Sequence, residues 1–130
     1  MRLDIFTLCD SVQSYSGKLV VVGAMNIIQA SKLPFMVSNL SVAIRMVFEH
    51  EDQMCSTFQI SIIKPGGTLL VETPKMEQNQ KVPSEGDYAT FDFNFGLNNV
   101  VVDEAGEYLI NLKADDQLYQ TKFLVKIPQK

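Results

Sequence analysis

Residues 103–127 read DEAGEYLINLKADDQLYQTKFLVKI, and this stretch decides the fold. Tyr108, Ile110 and Leu112 share one face of a first arm, and Tyr119, Thr121, Phe123, Val125 and Ile127 share one face of a second. A period of two puts successive side chains on opposite sides of an extended strand, so each arm buries one face and wets the other. Asp115 and Asp116 halt the pattern with short polar side chains suited to turn backbones. The stretch predicts an antiparallel hairpin, one wall of a β structure.

The same period recurs upstream. Ala89, Phe91, Phe93, Phe95 and Leu97 alternate with Thr90, Asp92, Asn94 and Gly96, so the three phenylalanines read as core rather than as a platform for a ligand. Val42, Ile44, Met46 and Phe48 form a second run and Phe58, Ile60 and Ile62 a third. They flank EHEDQMCS (residues 49–56), which suggests a hairpin closed by a longer loop. Residues 3–9 and 18–25 add two strands separated by the polar DSVQSYSG, and Gly66-Gly67 after Pro65 sets a tight reversal before a short strand at 68–72. No segment of ten residues keeps a 3.6-residue apolar period, and the nearest, MNIIQASKLP, stops at Pro34. Seven or eight short strands with little or no helix predict an antiparallel sandwich or barrel, and the long connection from residue 25 to 40 suits a strand that changes sheets.

A chain of 130 residues, 46% hydrophobic and 20% charged, is expected to form a single domain over 1–130 with its own core. The formal net charge of −4 removes the attraction to phosphate backbones that drives non-specific nucleic-acid binding. Asp4 interrupts the first apolar residues before a signal-peptide core forms, and no apolar run approaches the roughly 20 residues that span a bilayer. A cytoplasmic protein without nucleic-acid or membrane partners is the expectation. Cys9 and Cys55 lack metal-ligand spacing and are expected to be free thiols.

With the strands placed, Gly106-Glu107-Tyr108 resembles the corner of immunoglobulin-like sandwiches, where a Tyr at the start of a strand bonds back to the preceding backbone. Ile110 stands where antibody domains carry a Cys, and the chain has no Trp, so the likeness is one of architecture. A broader resemblance runs through LCDS (8–11), GKLVVVGAMNII (17–28), LPF (33–35), LSVAIRMVFE (40–49) and GEYLINLKADDQ (106–117). In this order the segments resemble a family of small bacterial β-sandwich proteins grouped as a domain of unknown function. The resemblance implies an all-β, immunoglobulin-like antiparallel sandwich and brings no activity, cofactor or ligand.

Reactive chemistry finds little footing. His50 is the single histidine, and its neighbours Glu49, Glu51 and Asp52 read as a solvated acidic loop rather than a metal or acid–base cluster. Asp103-Glu104 and Asp115-Asp116 flank one strand at about 3.3 Å per residue, roughly 30 Å apart, and cannot share a calcium ion. Asp10-Ser11 reads as turn chemistry, Cys9 as a small buried residue, and Gly66-Gly67 lacks the spacing and helix of a phosphate loop.

One long irregular segment, TPKMEQNQKVPSEGDY (73–88), carries two prolines and is a candidate binding loop, with Lys75, Glu77, Gln78, Asn79, Lys81 and Tyr88 as its contact residues. The expected function is a non-enzymatic intracellular interaction module working through sheet edges or end loops, with an unknown protein partner or a second copy and no cofactor. The alternative is a small-ligand or carbohydrate-binding module, with Tyr15 and Tyr88 as stacking residues.

Overall fold

The structure is a computed structural model and describes residues 1–52, 57–78 and 81–128. These residues form eleven strands and no helix: β1 (Arg2–Cys9), β2 (Ser11–Tyr15), β3 (Lys18–Val22), β4 (Ile27–Gln29), β5 (Phe35–Glu49), β6 (Thr57–Ile63), β7 (Leu69–Glu72), β8 (Met76–Glu77), β9 (Tyr88–Val102), β10 (Gly106–Ala114) and β11 (Gln117–Lys126). They build an immunoglobulin-like sandwich. One sheet has the order β1-β5-β9 and the facing sheet the order β4-β11-β10-β6-β7, with β8 continuing the β7 side of β6. Strands β2 and β3 form a separate hairpin.

The alternation that identified the strands also fills the core. Val42, Ile44, Met46 and Phe48 of β5 meet Phe58, Ile60 and Ile62 of β6 and Tyr108, Ile110 and Leu112 of β10 in one buried cluster. Phe58 presents its edge to Phe91 and to Phe93, both at 5.2 Å between ring centroids, which places β6 over β9. Such edge-to-face pairs add to the burial of the rings themselves.

The β10–β11 hairpin pairs in the expected way, from Gly106↔Val125 to Ala114↔Gln117, leaving Asp115 and Asp116 as the turn. Asp115 takes a positive φ of 48° and its carboxylate accepts from the Thr57 N–H at 3.0 Å and from the Thr57 hydroxyl at 3.1 Å. At the other end the Tyr108 hydroxyl donates to the Glu104 carbonyl at 2.8 Å, which is the corner the sequence suggested. Gly106 holds φ 128°, and a Cβ there would stand 3.1 Å from Pro65 Cγ, so both backbone angle and space require glycine.

Other expectations need correction. The runs on either side of residues 49–56 are not a hairpin: β5 pairs with β1 and β9, whereas β6 pairs with β10, β7 and β8. Periodicity reports which face is buried and is silent on which strand lies alongside, and here both edges of β5 are taken by distant strands. The polar segment 10–17 is no simple spacer. It supplies β2, whose two-residue turn to β3 at Ser16-Gly17 has positive φ at both positions, 48° and 74°, as a mirror-image hairpin turn requires. Strands number eleven rather than seven or eight, because β2, β4 and β8 are short and carry weak alternation. The sheet change does occur, but early: Met25 still bonds to Leu8 of the first sheet, and Ile27–Gln29 already run parallel to Leu124–Lys126 of the second. Strand β5 then begins at Phe35, so the long connection expected as far as residue 40 is shorter. Residues 73–77, expected in a loop, lie along β6, with Thr73 N–H donating to Ile60 C=O and Thr73 Oγ1 accepting from Ile60 N–H.

Candidate functional site

The two sheets differ in width, and that difference creates the one conspicuous unfinished feature among the described residues. Phe58 of β6 packs on Phe91 and Phe93 of β9, so β7 and β8, on the far side of β6, extend past β9 with no strand facing them among the described residues. Strand β9 pairs with β5 along its full length, from Tyr88↔Glu49 to Val102↔Phe35, and among the described residues no strand lies on its other side. Phe91, Phe93 and Phe95 point into the core yet stay half-buried, as do Val71 and Met76 on the overhanging side of the larger sheet.

Edge strands usually carry some protection against pairing with a foreign chain: charges, proline, a bulge or short length. Strand β1 has Arg2, Asp4 and a register shift between Leu3 and Ile5. Strand β11 is capped over Leu124–Lys126 by β4 and carries Lys122, while β7 has four residues. Strand β9 has fifteen residues, no proline and one charge, Asp92. That charge is already engaged by Arg45 at 2.7 Å from the neighbouring strand, and the contact raises the Arg45 guanidinium above its ordinary pKa. The interruptions in β9 are mild: Gly96, and Asn99 with φ 55°.

The outer face of the three-stranded sheet is covered differently. Cys9, Ala43 and Val47 are buried although they lie outside the central cluster, on the face opposite Leu8, Val42 and Ile44. The β2–β3 hairpin folds back against this sheet, where its tip is held by Arg45 Nη2 donating to the Gly17 carbonyl at 3.3 Å. Burial, with a smaller contribution from Asp10, pushes the Cys9 thiol pKa up, and Cys9 is the free, buried residue expected at this position. Cys55 lies outside the described residues.

Beside the hairpin root is a groove of about 530 Å³ lined by Asp10, Ser11, Asn39, Ser41, Gly96 and Asn98 among others. Leu40 and Leu97 add an apolar part to its lining, and no aromatic ring lines it. His50 cannot serve Asp10-Ser11: Cys9 pairs with Ser41 and Arg2 with Val47, so the two places lie at opposite ends of the β1–β5 ladder. The His50 ring nitrogen sits 2.7 Å from the Pro83 carbonyl instead. The acidic pairs are separated as expected. Asp103 binds Lys64 at 3.0 Å and Glu104 accepts from the Gly66 N–H at 3.4 Å, at the opposite end of β10 from Asp115. Among the described residues no group of three or more His, Cys, Asp or Glu converges on a metal position.

The loop candidates scatter. Lys75 lines a cleft with Lys113, Asp115 and Asp116. Glu77 is exposed on β8, Gln78 is buried, Lys81 is exposed, and Tyr88 opens β9 with the Arg2 guanidinium 4.8 Å from its ring centroid. Asn79 lies outside the described residues. Tyr15, at the hairpin tip, is exposed. Sequence reasoning placed β9 in the core and missed its free edge. The signal was the single charge in fifteen residues, which becomes informative only once the strand is known to lie at an edge.

A family model described as a family of unknown function (DUF6941) matches residues 4–126. No curated protein matches the chain. Among solved structures it is similar to an immunoglobulin-like protein from Pseudomonas aeruginosa, at 12% identity over 97% of this chain and 98% of that one with a TM-score of 0.41. It is also similar to the C-terminal domain of wzt, at 13% identity over 98% and 74% with a TM-score of 0.37. No helix among the described residues is long and apolar enough to cross a membrane.

Proposed function

The chain belongs to the DUF6941 family, and from that premise we propose that it is a non-enzymatic interaction module that holds another protein through the open edge of β9. The observation that carries this reading is the long, nearly uncharged edge of β9 beneath the overhanging β7. An unpaired edge offers a row of backbone donors and acceptors, and an incoming strand satisfies them while its side chains supply specificity.

The test compares proteins captured from a native lysate by the wild type, by Asn94→Lys on β9, and by Leu118→Lys on β11. Both replaced side chains are solvent-exposed, so both variants should fold. Partners should be lost from Asn94→Lys and retained by Leu118→Lys, with quantitative mass spectrometry as the readout. Equal capture by all three would remove the reading.

A second reading, a small polar ligand, rests on the groove beside Asp10 and Asn98. Its hydroxyl, amide and carboxylate groups suit hydrogen bonding and Leu40 and Leu97 supply apolar contact, but a sugar would find no aromatic stacking surface there. A thermal-shift screen of small polar solutes against wild type and Ser41→Val distinguishes it from the edge reading.

A further inference from the structure

We infer that the space beside β9 is one strand wide and takes a single extended segment of another protein, about seven residues long with apolar side chains at alternate positions. This rests on the reading of β9 as the binding edge and adds what kind of occupant fits.

The argument is steric. Antiparallel pairing of β9 with β9 of a second copy, in one continuous sheet, requires a two-fold axis normal to that sheet. The partner's larger sheet would then lie on the same side as this one. Because Phe58 of β6 covers β9 at Phe91 and Phe93, and β8 and β7 reach one position further, pairing centred on Phe91–Leu97 would drive the partner's β7 and β8 into the layer already filled by β6. Over Phe91–Leu97, the overhang that leaves β9 open thus excludes its most obvious partner. A lone strand brings no second layer and meets no such obstacle.

The lining states the chemistry of the occupant. On the inner side it would meet the rims of Phe91, Phe93 and Phe95, with Val71 and Met76 above, all half-buried and apolar. On the outer side it would run beside Asp92, Asn94 and Gly96, where Asp92 is already paired with Arg45 and polar side chains reach water. Strand period two turns these surfaces into a sequence rule: apolar inward, polar outward. The length follows from Phe91–Leu97, the stretch of β9 with inward apolar residues at alternate positions, beyond which Asn99 takes a positive φ of 55°.

The experiment selects binders for the full-length protein from a phage-displayed library of random seven-residue peptides, then studies the selected peptides as synthetic compounds. Expected are alternating apolar–polar sequences that slow amide exchange in Phe91, Phe93 and Phe95 or in the residues between them. N-methylation at one set of alternate residues should weaken binding about tenfold or more, while the other set is tolerated. Concentration-dependent dimerisation abolished by Asn94→Lys would overturn the single-strand inference and leave the edge reading standing. Selected peptides that protect another edge, or a failure to select any with the chain remaining monomeric, would overturn both.

Discussion

Arg45 and Asp92 face each other across the β5–β9 ladder and close a two-point contact, Nε to Oδ1 at 2.7 Å and Nη2 to Oδ2 at 2.9 Å. The fork matches guanidinium to carboxylate geometry and keeps the single charge of β9 occupied within its own sheet. Arg45 also reaches the Gly17 carbonyl, so one side chain joins strand pairing to the attachment of the hairpin.

Arg45→Ala should therefore lower stability by about 1 kcal/mol, the scale for a well-formed but partly exposed pair. Urea denaturation measures this, and amide exchange should accelerate in β2 and β3. The Lys122–Glu107 pair is far more exposed, at 65% and 55%, and Lys122→Ala should change stability by less than about 0.5 kcal/mol.

Tyr108→Phe keeps the ring stacked on Phe123 at 5.0 Å and removes only the hydroxyl that binds the Glu104 carbonyl. The expected loss is about 1 kcal/mol. Burial raises the Tyr108 pKa above its ordinary value of 10.0. A raised folded-state pKa means the neutral phenol is favoured in the native state, so its contribution is complete below pH 10 and is lost as pH rises from there through the folded value. Wild-type stability should fall more steeply than that of Tyr108→Phe in this alkaline window, as thermal melts across pH would record.

Gly106→Ala should cost more than about 1 kcal/mol, because alanine at φ 128° is strained and its Cβ would press on Pro65. Chemical denaturation gives the value. Gly67→Ala, also at positive φ but in open space, should cost less.

Phe58→Ala removes the buried ring that both Phe91 and Phe93 meet edge-on, and should destabilise by about 3–5 kcal/mol. Equilibrium unfolding measures the loss, and tryptic cleavage should rise in β9, whose inner face would lose its support.

Much of this fold is legible in the sequence where burial is one-sided. Phe58, Ile60 and Ile62, or Tyr108, Ile110 and Leu112, announce a strand because one face is dry and the other wet. The β2 arm gives a weaker signal: Val12 is half-buried and Gln13, Ser14 and Tyr15 are exposed, so solvent contact erases the period. Its turn was nonetheless present in Ser16-Gly17 between two β-prone runs. The partnership of β5 with β9 joins residues 35–49 to 88–102, and no local pattern encodes a pairing so distant. The candidate site is harder still to see, because an edge is defined by what fails to lie beside a strand.

The covered outer face has a chemical use. Cys9 is fully buried and points away from the central cluster toward the side over which the β2–β3 hairpin folds. In a Cys55→Ser background it is the sole thiol, and an alkylating reagent can reach it only when the structure around it opens. Its labelling rate, divided by that of an exposed thiol at the same pH, reads the equilibrium for that opening directly. The buried sulfur is thus a built-in gauge of local opening on this face, which spectroscopy of the whole β sandwich would average away.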